Sequence, residues 1–251
     1  MKLLTIDIGN TNTCFGIFEN DNISFVYRFS THKYETIDEW KFVLKNILKN
    51  HKEISNASMG SVVPSKDEII IKALNDLKFK NVLKIKPGVK TGVPILYENP
   101  SEVGVDRVVN AVALKEKYGV PGIVVDFGTA ITFDVVSSKG EYLGGLICPG
   151  ISMSLENLFK KTSLLPFVEF RKPKGIVGKN TAHSIQSGIY YGFIGLIEGI
   201  LQRLIQEKGP FEHIVSTGGY SEIISKEIPL IDAIEPNLTH WGLYLIFLKN
   251  V

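Results

Sequence analysis

Three apolar-rich runs open the chain, at residues 2–8, 14–19 and 23–29, separated by Gly9-Asn10-Thr11-Asn12 and by Glu19-Asn20-Asp21-Asn22. Short apolar runs joined by such turn residues predict an antiparallel β-meander. From Thr36 to Leu48 the pattern changes: Ile37, Trp40, Val43, Leu44, Ile47 and Leu48 fall at helical spacing. A strand is expected over Ala57–Val63, a helix opened by Pro64-Ser65 and running to about Leu77, and a strand over Asn81–Ile85. The order is βββαβαβ. Pro87 to Pro100 breaks the pattern, and a helix is expected from Glu102 to Lys117, with Gly119 and Pro121 just beyond its end. The series then restarts, with strands at 122–127, 130–136 and 141–147 and a helix from about Ser152 to Phe159. A long helix from Thr181 to about Glu207 precedes a strand at His213–Thr217, a helix at 221–227, a strand near 229–233 and a terminal helix from about Asn237. Both halves share βββ followed by alternating helix and strand, which points to an α/β fold built by duplication.

The duplication is sharpest where strands end. Leu3-Leu4-Thr5-Ile6-Asp7-Ile8-Gly9-Asn10-Thr11 and Gly122-Ile123-Val124-Val125-Asp126-Phe127-Gly128-Thr129-Ala130 each run an apolar strand through a carboxylate into a tight turn. Their offset is 126 − 7 = 119 residues, close to half of the 251. Glycine lets the backbone approach a ligand, and neighbouring N–H and hydroxyl groups donate to phosphate oxygens. The carboxylate can hold a cation directly or through its water shell. A single copy reads equally as an ordinary hairpin turn, since Asp and Gly are common there; two copies favour a clamp for a metal–nucleotide.

Composition narrows the partners. A net charge of +2, with 22% charged residues, gives no global reason to expect nucleic acid or a membrane surface. Asp7 interrupts the apolar start too early for a signal peptide, and no apolar run reaches the ~20 residues that cross a bilayer. Cys14 and Cys148 stand alone in apolar, strand-like contexts, as small core residues of a reducing, cytoplasmic compartment would. The five histidines show no metal-ligand spacing with either cysteine. Arg171-Lys172-Pro173-Lys174 is basic, but four such residues in a loop are ordinarily just solvated. Gly175-Ile176-Val177-Gly178-Lys179-Asn180-Thr181 mimics a phosphate-binding Walker loop, yet Pro173 stands where its first glycine belongs and Asn180 where a Ser or Thr must follow the lysine.

Six motifs in order carry a resemblance: Asp7-Ile8-Gly9-Asn10-Thr11-Asn12, Gly104-Val105-Asp106-Arg107, Asp126 to Ala130, Gly144-Gly145 with Pro149-Gly150, Thr181 with Ser187-Gly188, and Thr217-Gly218-Gly219. They span nearly the whole chain without a departure at a motif position. The chain resembles the type III pantothenate kinases, within the superfamily of acetate and sugar kinases, heat-shock chaperones and actin. The resemblance implies duplicated RNase H-like (actin-like) βββαβα domains facing an interdomain cleft, divided here as residues 1–117 and 118–251. It implies ATP-dependent phosphorylation of pantothenate by a homodimer that uses Mg2+ and a monovalent cation, K+ or NH4+.

The resemblance also assigns residues. ATP would lie on Asp7, Ile8, Gly9, Asn10, Thr11, Asn12, Thr13 and Cys14, with Thr129, Gly218 and Gly219. The acceptor would meet Tyr97, Gly104, Val105, Asp106, Arg107 and Thr181. Asp106 would take the substrate hydroxyl's proton, as a carboxylate within hydrogen-bond reach can. Asp7 would order Mg2+ through phosphate or water, and Asp126 would hold the monovalent cation. Arg107 offers a charged fork for a carboxylate or phosphate, and Tyr97 a hydroxyl and a covering ring. From the residues alone, Arg107 reads as well as a surface ion pair and Tyr97 as core. A sugar or acetate kinase, or a non-enzymatic regulator like the Bvg accessory factors, are the rival functions.

One stripe is left over. Gly188, Gly192, Gly195 and Gly199 recur at steps of 4, 3 and 4 in the long helix and so share a face. Each costs ~0.5–1 kcal/mol relative to alanine in a helix interior, which close packing must offset. The packing partner is either the chain's own sheet or the same helix of a second copy.

Overall fold

The computed structural model describes all 251 residues as two compact units, Met1–Glu116 with Leu238–Val251, and Lys117–Asn237. The first holds strands β1 (Leu3–Ile8), β2 (Asn12–Glu19), β3 (Asn22–Ser30), β4 (Asn56–Ser61) and β5 (Asn81–Lys84), with helices α1 (Ile37–Ile47), α2 (Pro64–Asp76) and α3 (Val105–Lys117). Its sheet order is β3-β2-β1-β4-β5, with β1 antiparallel to β2 and parallel to β4. The second unit holds β6 (Gly122–Phe127), β7 (Ala130–Val136), β8 (Tyr142–Pro149), α4 (Ile151–Lys160), α5 (Thr181–Lys208), β9 (His213–Gly218), α6 (Ser221–Ile224) and β10 (Ala233–Ile234). Its order, β10-β9-β6-β7-β8, repeats the first, with β6 antiparallel to β7 and parallel to β9. Asp7 and Asp126 are both penultimate in the strand that starts their unit. The duplication seen along the chain is thus a duplication of topology.

Alternation along β1 decides which face does what. Leu4, Ile6 and Ile8 point to a core shared with Trp40, Leu44 and Ile70 of α1 and α2. Thr36 caps α1, accepting from Glu39 N–H while the Glu39 carboxylate accepts from Thr36 N–H. Leu3, Thr5 and Asp7 point the other way. Leu3 and Phe18 meet Tyr244 and Phe247 of the terminal helix α7 (Leu238–Leu248), where Phe18 and Tyr244 stack at 4.4 Å. Thr5 meets His240. Asp7 comes next in that row, and Gly60 lies beside it on β4.

Four expectations shift. The helix expected from Glu102 begins at Val105, because Pro100–Glu102 form a separate 3-10 turn capped by Asn99, whose side chain also bonds Glu102. Residues 221–227 divide into α6 and a 3-10 turn, and the strand near 229–233 is only Ala233–Ile234. The terminal helix, counted by chain order with residues 118–251, belongs to the first unit. The reason is packing: Gly242 lies so close to α3 that a Cβ there would sit 2.1 Å from the Val109 carbonyl oxygen. No helix is long and apolar enough to cross a membrane.

Candidate active site

The turn after β1 is held by threonine hydroxyls. Gly9 N–H donates to Asn12 O (2.9 Å), Thr31 N–H to Thr11 O (3.0 Å) and Thr31 Oγ1 to Gly9 O (2.7 Å), while Thr13 and Thr31 share a hydroxyl bond of 3.0 Å. These bonds tie up inner carbonyls, and Asn10 at the tip stays exposed. Asp7 is half-buried and pairs across β2 with buried Cys14. Burial first, then the Asp7 charge, pushes the Cys14 thiol up, against an Arg28 contact that lowers it.

α3 starts on the same face of the sheet. A Cβ on Gly60 would meet Leu243 at 3.1 Å and Val105 at 3.3 Å, so this glycine seats the start of α3 beside the Asp7 end of β1. Gly104 O accepts from Arg107 N–H (3.1 Å) and Val108 N–H (3.2 Å), opening the helix. Asp106 is half-buried, and its Oδ1 accepts from Arg107 N–H at 2.8 Å. Burial pushes the Asp106 carboxyl up from its ordinary value, opposed by the Arg107 N–H and the Arg107 charge. Arg107 itself is buried, which removes the surface ion-pair reading. Tyr97 is exposed, which removes the core reading, and sits in the irregular run before the 3-10 turn.

In the second unit two turns lie side by side. Asp126 registers with Thr217 and Phe127 with Gly218, and Gly219 N–H donates to Phe127 O at 3.1 Å. Gly218 has φ +90°, and a Cβ there would fall 2.6 Å from Asp126 Oδ1. It would also fall 2.6 Å from the Phe127 carbonyl carbon, so a side chain is excluded where the two turns meet. Gly150 backs the other turn: a Cβ there would lie 2.1 Å from Thr129 O. Thr181 is the exposed first residue of α5, behind the N-cap Asn180. The Walker-like stretch is a helix entry: Gly178 packs on Ser184, and Ser187 Oγ donates to Ile176 O.

The structure thus gathers Asp7–Cys14 with Gly104–Arg107 in the first unit, and Asp126 and Thr129 with Gly218–Gly219 in the second. A family model described as type III pantothenate kinase matches residues 3–203, most of the chain. A type III pantothenate kinase of Koribacter versatilis is 45% identical over 262 residues, covering 99% of this chain and 96% of that one.

The chain belongs to the type III pantothenate kinases.

Two solved structures share its fold. One, a candidate Baf family transcriptional activator from Campylobacter jejuni, matches with a TM-score of 0.61 at 20% identity, covering 98% of each chain. The other, the activator of 2-hydroxyisocaproyl-CoA dehydratase from Clostridium difficile with bound ADPNP, gives 0.55 at 12%, covering 98% and 95%. Both carry the α/β, actin-like architecture into this pantothenate kinase and, at such identities, nothing more.

Sequence reading passed over the supports of this type III pantothenate kinase site. Thr31 holds the first turn from 22 residues away, and Ser221 Oγ donates to Gly218 O at 2.7 Å in the second. Both are ordinary hydroxyl residues without a local signal. Gly150, quoted in a motif, has its reason only in the carbonyl it meets.

Proposed function

We propose that the protein transfers the γ-phosphoryl group of ATP to the hydroxyl of pantothenate, giving 4'-phosphopantothenate at the start of coenzyme A synthesis. The observation that carries this is family membership over nearly the whole chain, with Asp106 and Arg107 intact in the first turn of α3. Such transfer needs in-line positioning and charge stabilisation more than covalent help. Residues Asp7–Cys14, Thr129, Gly218 and Gly219 receive ATP through backbone N–H and hydroxyl donors. Asp106 accepts the proton of the substrate hydroxyl, and burial raises its carboxyl above the ordinary value, in the direction of a stronger base. Arg107 pairs with the acceptor's carboxylate, and Tyr97, Gly104, Val105 and Thr181 line its path.

The carboxylates fit hard cations. Asp7 would hold Mg2+ through phosphate or water, and Asp126, near the end of β6 beside the Gly218 turn, would hold K+ or NH4+. Held there, the cations would supply positive charge to offset the negative charge developing on the phosphate. The unpaired thiols Cys14 and Cys148 suit a reducing, cytoplasmic setting. Cys148 is only half-buried, short of the core residue expected. The rival readings gain nothing: the relatives share the kinase description, and the likeness to the Baf chain concerns fold. ATP consumption that rises with pantothenate and K+, and not with sugars or acetate, tests the proposal; turnover with another acceptor would contradict it.

The same reading makes the protein a homodimer through α5. A Cβ on Gly188, Gly192 or Gly195 would meet nothing within 4 Å, and one on Gly199 only Arg203. The stripe therefore does not pack on the chain's own sheet, and α5 buries Tyr190, Phe193, Ile197 and Leu201 there instead. An identical helix can use the open glycine face. Gly195→Leu is expected to shift sedimentation from dimer towards monomer, and a variant that stays dimeric at low concentration would remove α5 from the interface.

A further inference from the structure

Gly104 has no backbone reason to be glycine. Its φ lies outside the left-handed region, unlike that of Gly88, Gly92 or Gly218. No wall of backbone closes on it either. A Cβ there would lie 2.5 Å from Asp106 Oδ1, then 3.6 Å from Asp106 Cγ and 3.8 Å from Arg107 Cγ. The one intolerable contact is with the carboxylate oxygen that accepts from Arg107 N–H. We propose that Gly104 is a positioning residue for the phosphoryl transfer, leaving vacant the volume into which the Asp106 carboxylate folds. The inference rests on the assignment of Asp106 as base.

The geometry separates this role from a structural one. A contact under 3.0 Å with backbone forces the chain to move, whereas the far end of an aspartate can rotate away. Gly104→Ala should therefore fold and leave α3 in place, since Gly104 O still accepts from Arg107 and Val108. What it should lose is the bond from Arg107 N–H that fixes Oδ1. The carboxylate then samples other rotamers, and the proton acceptor leaves its line with the substrate hydroxyl. Proximity effects of this kind act on turnover rather than on nucleotide binding.

The test is a double-mutant cycle on the full chain with Gly104→Ala, Asp106→Asn and the double variant. Gly104→Ala is expected to lower kcat about tenfold or more, with KM for ATP within about twofold of the parent. Because the effect runs through the Asp106 carboxylate, adding Gly104→Ala to Asp106→Asn should change kcat by less than about twofold. Parent-like turnover in Gly104→Ala, or an equal loss in both backgrounds, would overturn the inference. A Gly104→Ala chain that does not fold would overturn it too, because only a movable oxygen stands in the way. The two assignments fail differently: an active Asp106→Asn enzyme removes the base, whereas an inactive one beside a fully active Gly104→Ala removes only Gly104's role.

Discussion

Asp106→Asn is expected to lower kcat with pantothenate by about 10²-fold or more, with the melting temperature and ATP binding nearly unchanged. Asparagine keeps the size of the side chain and an oxygen that can accept from Arg107 N–H, but it cannot take a proton as a carboxylate does. The competing account is that an acid in the first turn of α3 serves the helix dipole, worth ~0.3–1 kcal/mol. That account predicts a small loss of stability and ordinary turnover. Glu102, which sequence reading placed in the same helix start, lies in a separate turn, so Asp106 is the acid in the first turn of α3 and Glu102 does not count against the dipole role. Burial is what weighs against it: it pushes the Asp106 carboxyl up and so disfavours the charged form that a dipole role needs. Kinetics and thermal melts on the one variant separate the accounts.

Stability should fall as pH drops from about 6.5 towards 4, through His240. This histidine is buried under β1 and β2, and its Nδ1 lies 2.9 Å from Thr5 Oγ1. The Thr5 proton is given to Gly16 O at 3.1 Å, so Nδ1–H donates to Thr5. A Cβ on Gly16 would lie 2.8 Å from the ring, so nothing but glycine leaves room for it. Burial, with a smaller push from Arg28, lowers the His240 pKa to about 4. The folded chain therefore holds the ring neutral, while the unfolded chain takes up a proton below about 6.5. Stability from this group is full above 6.5, declines as pH falls, and levels off below about 4. The loss amounts to about 3 kcal/mol at 1.36 kcal/mol for each tenfold change in proton affinity. Denaturant unfolding of the parent and of His240→Gln at pH 7 and pH 4.5 checks it. The variant should be less stable at pH 7 and show a shallower decline, and parallel declines would exclude His240 as the cause.

Much of this was legible along the chain because it is local. Apolar spacing from Ile37 to Leu48 defines α1 without help from the rest. The paired Asp-x-Gly turns reveal the duplication because each strand, carboxylate and turn are contiguous. What was not legible depends on contacts distant in sequence. α7 buries residues nearly all round, including Leu238, His240, Leu243 and Phe247, so its pattern shows no face, and its place beside β1 and β4 follows from His240 meeting Thr5 and from Ser58 Oγ donating to Leu243 O. The same limit applies to glycine. Along the sequence Gly104, Gly150 and Gly195 are alike; in the structure one faces a carboxylate, one a carbonyl and one nothing. The start of α3 was misplaced because Pro100–Glu102 makes a turn of its own before Gly104.

The central claim is that this chain phosphorylates the hydroxyl of pantothenate, and the product tests it most directly. Purified protein with ATP, Mg2+, K+ and pantothenate can be followed by phosphorus NMR. The account predicts a new phosphomonoester on the pantothenate hydroxyl, formed in equal amount with ADP and absent when pantothenate is left out. ADP formed without that ester, or an unchanged ATP spectrum under the same conditions, would contradict it.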